Sequence, residues 1–230
     1  MNSLPLFYFP ALNNSQGVVD LDDAIRHHAV VVLRMGEGDK MLLTNGKGLT
    51  AHATIVTSSK KQLSVQLHDF LDHAVAKRKL ILGISLLKNA ARFEWMLEKV
   101  TEIGITEIYP LRCERTEKQH YKKERFEQII VSACLQSQQF HFPVLHEPIS
   151  FNDLMNQQLP NDKFIAHCLE GDKEILSSTN NDAILLIGPE GDFTPQEIEV
   201  ALVQAFTPVS LGATRLRTET AGVVGAVMMR

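Results

Sequence analysis

The chain is poor in the features that would place it quickly. Of its 230 residues three are cysteines, Cys113, Cys134 and Cys168, widely spaced and without a C-x-x-C pair. That excludes a disulfide framework and a zinc ribbon, and predicts buried or neutral thiols. No apolar run approaches the roughly 20 residues needed to span a bilayer. The opening stretch "MNSLPLFYFPALNN" has no basic start and no small-residue cleavage site behind a long apolar core, which predicts no signal peptide, no membrane partner and a cytoplasmic location. Neither G-x-G-x-x-G nor G-x-x-x-x-G-K-[ST] occurs, so the two common phosphate-cradling loops are missing. His120, His141 and His146 lack a metal-ligand spacing, and no metal is expected. A net charge of −4 argues against a nucleic-acid partner unless positive charge is concentrated locally.

What is present is the balance of an ordinary globular protein, with 44% hydrophobic and 22% charged residues. Its character changes near residue 72. Residues 1–72 hold short strand-like pieces, "KMLLTNGKG" with Asn45-Gly46 as a turn, "LTAHATIV" and "KQLSVQLHDFL", preceded by one helix candidate, "DDAIRHHAVVVLRM". This predicts a small β-rich module, a barrel, and "DHAVAKRK" reads as the linker after it. Residues 73–230 alternate apolar strands ("KLILGISLL", "EIYPL", "KFIAHCL", "AILLI") with amphipathic helices, the pattern of a mainly parallel α/β sheet. In "RFEWMLEKVTEIG" the residues Phe93, Met96, Leu97, Val100 and Ile103 share one face, and Gly104 follows as a C-terminal cap. "KERFEQIIVSACLQSQQF" reads as a second helix.

The stretch "ILLIGPEGDFTPQEIEVA" delivers a buried strand into Gly188-Pro189-Glu190-Gly191 and then a helix. Thr194 to Glu197 has the capping-box pattern, with Pro195 at the first helical position. Ligands of open α/β sheets sit beyond the carboxyl ends of strands, so the turn is either a binding position or simply a tight connection. Glu190 would set a carboxylate where phosphate-binding loops offer bare N–H groups, which favours a neutral or cationic guest such as an adenosine carrying a sulfonium. A second glycine exit follows in "PVSLGATRLRTETAGVVGAVMM": a strand at Val209 to Leu211, Gly212, a polar loop with Arg215 and Arg217, and a small-residue helix from about Thr220. The two exits are expected to be neighbours in the sheet. Arg217 and Glu219 are either a structural salt bridge or functional groups, since neither can be buried unpaired.

Taken together, "LLIGPEG", "LGATRLRTETA" and the upstream "LRMGEGD" resemble the RsmE family, the 16S rRNA uridine N3-methyltransferases of the SPOUT superfamily, over nearly the whole chain. The resemblance implies an α/β SPOUT methyltransferase domain with a C-terminal trefoil knot, preceded by a PUA-like β-barrel. It implies S-adenosylmethionine as cofactor, held by Leu186, Ile187, Gly188, Pro189, Glu190 and Gly191 on one wall and by Leu211, Gly212, Leu216 and Arg217 on another. It implies a homodimer, 16S rRNA within the small ribosomal subunit as partner, and no metal. Arg217, Glu219 and Glu190 are the catalytic candidates, Glu219 first as acceptor of the N3 proton. The sequence departs from the family where Thr214 stands in an arginine position, with Arg215 one place later, and at Leu135 to Gln139, where a Gly-Arg pair is missing; neither position is carried over.

Local positive charge supports an RNA partner. Residues 112–125 carry six Lys or Arg against three Glu. With the clusters nearer the N-terminus, Arg34, Lys60, Lys61, Lys77, Arg78, Lys79, Arg112 and Arg115 are the expected RNA contacts. Two other classes fit the pattern, a non-catalytic RNA-binding module and an α/β enzyme with another nucleotide cofactor.

Overall fold

The computed structural model describes residues 4–117 and 121–230. His120, and the Lys118 contribution to the basic run, lie outside the described residues. The chain forms two compact units: one runs to Val75 and takes in Cys134–Phe142, the other comprises Ala76–Ala133 and Pro143–Arg230.

In the first unit β1 (Leu6–Tyr8) lies parallel to β3 (Lys40–Thr44), and β2 (Gly17–Asp20) antiparallel to β5 (Leu63–Asp72). α1 (Asp23–Arg26) is capped by the Asp22 carboxylate and runs into a π-helical turn over His27–Val32, so the helix expected over residues 22–35 is two short pieces. The long strands β3 (Lys40–Thr44), β4 (Leu49–Ser58) and β5 (Leu63–Asp72) form an antiparallel meander. Their alternation puts Leu49, Ala51, Ala53 and Ile55 of β4 and Leu63, Val65 and Leu67 of β5 into one core with Phe7, Met41 and Leu43. The sheet order is β1-β3-β4-β5-β2, and among the described residues no pairing joins β1 to β2. Among the described residues the expected barrel is therefore not closed by hydrogen bonds between its two edge strands. The segment expected to continue a helix as far as Phe140 instead lies against the β3–β4 turn: Phe142 N–H donates to the Gly46 carbonyl and Gly48 N–H to that of Phe140, both at 2.9 Å.

The second unit is a parallel sheet. It contains β6 (Leu80–Ser85), α2 (Ala90–Ile103), β7 (Glu107–Arg112), α3 (Lys123–Gln136), whose last residues fall in the first unit, β8 (Val144–Leu145), β9 (Ile149–Ser150) and α4 (Phe151–Met155). It continues through β10 (Asp162–Ala166), β11 (Glu174–Ile175), β12 (Ala183–Ile187), α5 (Pro195–Val203), β13 (Thr207–Ser210) and α6 (Thr218–Met229). The order is β11-β13-β10-β12-β6-β7-β8, with β9 also on β7. Every residue of β6 and β12 is buried, which is why both read as unbroken apolar runs. Asn89 caps α2, and Gly104 ends it at φ +101°, a left-handed backbone that suits glycine. Phe93, Met96, Leu97 and Val100 are buried as the spacing predicts, while the fifth buried position is Thr101 rather than Ile103. Among the described residues no helix is long and apolar enough to cross a membrane.

Two expectations are corrected here. β12 and β13 are not neighbours, because β10 pairs with both; α5 carries the chain past β10 to its far side. α6 begins at Thr218 rather than Thr220, with Arg217 as its N-cap residue. The helix sits close to the sheet: a Cβ at Gly225 would meet a methyl of buried Leu185 at 2.2 Å, and one at Gly222 the Ile84 Cδ1 at 2.7 Å. Adding volume there forces either the helix or the leucine to move. Gly225→Ala is expected to lower the unfolding free energy by about 1–3 kcal/mol, whereas Val227→Ala, at a position 57% exposed, changes it by less than about 0.5 kcal/mol; denaturant titration of both variants checks this.

Candidate active site

The carboxyl ends of β10, β12 and β13 open onto one cleft of about 750 Å³. Its geometry starts with the turn after β12. Asp192 N–H donates to the Pro189 carbonyl at 2.9 Å, and the Asp192 carboxylate accepts from Phe193 N–H at 2.8 Å and from Cys168 N–H, beyond β10, at 2.7 Å. Asp192 itself has φ +63°. One acidic side chain thus ties two strand exits together. Gly188 is needed inside the turn, because a Cβ there would lie 3.0 Å from Phe193 N and from its fully buried ring.

The helix start is anchored just as firmly. Both halves of the Thr194–Glu197 capping box are formed. Glu197 is only 8% exposed; one carboxylate oxygen accepts from Thr194 N–H at 2.8 Å and the other from Glu114 N–H at 2.9 Å. The loop after β7 is thereby clamped to the start of α5. Arg115 on that loop donates to the Gly191 carbonyl at 2.8 Å.

On the opposite wall Gly212 follows β13, and Ser210 Oγ bridges it by accepting from Gly212 N–H and donating to its carbonyl. Glu219, in the first turn of α6, is 7% exposed. Its cationic neighbour is Arg92 of α2, with Nε 3.6 Å from Oε1; the Arg217–Glu219 salt bridge considered from the sequence does not form. No hydrogen bond or ion pair among the described residues engages the Arg217 guanidinium. Glu190 is exposed, and its Oε1 lies 3.4 Å from Lys88 N–H. The Lys88 ammonium pairs with Glu117, which raises its pKa.

Of the expected cofactor residues, Ile187, Gly188, Pro189 and Glu190 line the cleft from one side and Leu211, Gly212, Leu216 and Arg217 from the other, with Arg215 also present. Leu186 does not: it is wholly buried in the core. Gly191 does not line it either, and faces the Arg115 side chain. Sequence reasoning missed Arg92, His167, Cys168 and Asp192, which also line the cleft. His167 Nδ1 is buried without a partner among the described residues, and burial, reinforced by Lys173, lowers the imidazole pKa. Cys113 and Cys134 are buried thiols, each pushed up to about 12 by burial, whereas Cys168 is exposed.

Several expected RNA contacts have other partners. Arg78 donates to the Arg230 carbonyl, Lys79 pairs with Glu107 at 3.2 Å, and Arg112 donates to the Pro148 carbonyl at 2.9 Å. Arg115 holds the turn described above. Arg34, Lys60, Lys61 and Lys77 are exposed, with no side-chain partner among the described residues.

These features are those of an RNA methyltransferase domain, and the family model of that description matches residues 75–230, with an RNA methyltransferase PUA domain matching residues 21–67. The chain is 29% identical over 212 residues to the ribosomal RNA small subunit methyltransferase E of Rickettsia conorii, covering 89% of this chain and 85% of that protein. It superposes on a probable rRNA-methyltransferase from Porphyromonas gingivalis with a TM-score of 0.89 at 38% identity, covering 97% of this chain and 95% of that one. The ribosomal RNA small subunit methyltransferase E from Neisseria gonorrhoeae, bound to S-adenosyl methionine, superposes with a TM-score of 0.83 at 28% identity and the same coverage, 97% and 95%. The chain belongs to the RsmE family of ribosomal RNA small subunit methyltransferases.

The clamp at Glu197 generates a prediction. Glu197→Ala strands two backbone N–H groups, those of Thr194 and Glu114, and is expected to cost roughly 2–4 kcal/mol. Glu199→Ala, on the exposed side of the same helix, is expected to cost less than about 0.5 kcal/mol. Unfolding midpoints at constant denaturant slope measure the difference.

Proposed function

We propose that this chain is an S-adenosylmethionine-dependent methyltransferase that modifies N3 of one uridine in the 16S rRNA of the small ribosomal subunit. The observation that carries this is the convergence of three strand exits on a single cleft, with an unengaged guanidinium, Arg217, on one wall and an exposed carboxylate, Glu190, on the other. The cleft suits the cofactor. Its volume, about 750 Å³, falls in the usual small-molecule range; Ile187, Pro189, Leu211 and Leu216 offer apolar surface to an adenosine, and the orphaned His167 Nδ1 offers a polar contact. Ile187 to Glu190 and Leu211, Gly212, Leu216 and Arg217 would hold it. Leu186 supports that wall from the core, and Gly191 fixes it through Arg115. When bound, S-adenosylmethionine supplies an electrophilic methyl group on a sulfonium.

The protein's own task is to position the uracil and remove the N3 proton. Arg217, with its donors free, stabilises the negative charge that develops on the ring as N3 deprotonates. Glu219 is buried against Arg92, which fits it for holding the first turn of α6, and with it Arg217, in place. Glu190, open to the cleft, takes the role of proton acceptor that the sequence had suggested for Glu219. The PUA-like region, residues 1–72, guides the RNA through Arg34, Lys60 and Lys61, with Lys77 beside it in sequence, and residues 73–230 carry the chemistry. The crossing of β13 beyond β10, followed by the return of α6 to β6 and β12, supports a C-terminal trefoil knot. We infer a homodimer, the arrangement implied by family resemblance, working in the cytoplasm.

Calorimetry with S-adenosylmethionine and, separately, NADH tests the cofactor: binding of the first and not the second is expected. Arg217→Ala should lower kcat by about 10² or more, far more than it weakens cofactor binding. Glu190→Gln should lose activity at neutral pH and regain part of it as pH rises and N3 ionises unaided, whereas Glu219→Gln should lower the rate without reshaping the pH profile. An unchanged pH profile for Glu190→Gln would remove the acceptor role.

A further inference from the structure

On the outer face of the first unit, β4 and β5 present His52 and His68 as directly opposed partners, with ring centroids 5.9 Å apart. A regular strand would send the next residue, Asp69, to the opposite face, towards the core. A bulge prevents this. His52 pairs with His68 and Ala51 with Phe70, which leaves Asp69 as the extra residue. Its φ is +51°, a left-handed backbone that costs a residue with a Cβ roughly 1 kcal/mol. Phe70 then turns back to pack on the core.

The bulge keeps the carboxylate on the histidine face. Asp69 Oδ2 lies 2.9 Å from His68 Nδ1 and 3.5 Å from His52 Nδ1. One donor atom from each of the three side chains falls within 4.8 Å of the others. Donors around a tetrahedral ion, at bond lengths of about 2.0–2.1 Å, are about 3.3 Å apart, and the two separations from Asp69 bracket that value. The remote nitrogen of His68, Nε2, is 3.0 Å from Thr54 Oγ; a hydroxyl that accepts its proton leaves the Nδ1 lone pair directed at the cluster.

We propose that His52, His68 and Asp69 form a binding site for a borderline divalent transition-metal ion, Zn²⁺ being the natural occupant, with two imidazole nitrogens and one carboxylate oxygen from the protein. Two imidazoles and a carboxylate are ligands typical of Zn²⁺, and Ca²⁺ or Mg²⁺ would demand more oxygen donors. The three side chains are 44%, 34% and 72% exposed, so water completes the coordination shell. This site lies apart in sequence from every residue of the cleft, and goes beyond the methyl transfer.

Zn²⁺ titrated into chelator-stripped full-length protein provides the test, followed by calorimetry and by the ¹⁵N shifts of the histidine rings. One equivalent is expected to move the Nδ1 resonances of His52 and His68 to metal-bound values. Asp69→Asn, which keeps the side-chain shape and tolerates a left-handed backbone, and His52→Gln should each weaken binding by about tenfold or more. Unmoved His52 and His68 rings in the unmodified protein, or equal Zn²⁺ affinity in well-folded variants, would overturn the site and leave only a hydrogen-bonded surface group. The ring shifts decide the matter even if a variant fails to fold.

Discussion

Helix α6 can lie where it does only because residues 222 and 225 carry no side chain, and the rest of the catalytic unit is arranged around that contact. With glycine at both positions the helix backbone approaches Ile84 of β6 and Leu185 of β12, two strands buried on both faces. The approach fixes where the first turn of α6 falls. Arg217 becomes the residue that precedes the helix, Glu219 is buried beside Arg92 of α2, and the loop from Gly212 to Arg217 forms a wall of the cleft. A bulkier helix would stand off the sheet and carry the guanidinium away with it.

The opposite wall depends on two acids, Glu197 buried and Asp192 half-buried, whose partners are backbone donors rather than cations. Glu197 accepts from Thr194 and Glu114, and Asp192 from Phe193 and Cys168. Bonds to carboxylates are stronger than neutral ones, and through Glu114 N–H and Cys168 N–H the two acids join segments distant in sequence. They fix the GPEG turn independently of the Glu190 side chain, whose one contact among the described residues is the 3.4 Å approach of Lys88 N–H. Arg115 completes the arrangement. Its place in a basic run suggested RNA, but its Nη1 already donates to the carbonyls of Gly191 and Phe193.

Much of this was legible in the sequence, where the determinants are local. The apolar runs of β6 and β12, the Gly104 cap and the capping box at Thr194 depend on residues within a few positions of one another, and the residues of both cleft walls were named through the family resemblance of the two glycine-exit motifs. Features set by distant pairing were not legible. The position of β10 between β12 and β13, the docking of residues 140–142 on the β3–β4 turn, the partnership of Glu219 with Arg92 and the bulge at Asp69 are all decided by which strands and helices meet. Asp192 carried a weak signal, an acidic residue directly after a glycine turn, where Asp tolerates a positive φ.

The central claim is that this cleft transfers a methyl group to one uracil ring. The most direct measurement incubates the purified protein with isotopically labelled S-adenosylmethionine and small ribosomal subunits from a strain lacking it, then maps the label by mass spectrometry of the digested 16S rRNA. The account predicts close to one methyl per subunit, on N3 of a single uridine. Label on ribose, on another base, or nowhere in the rRNA would contradict it.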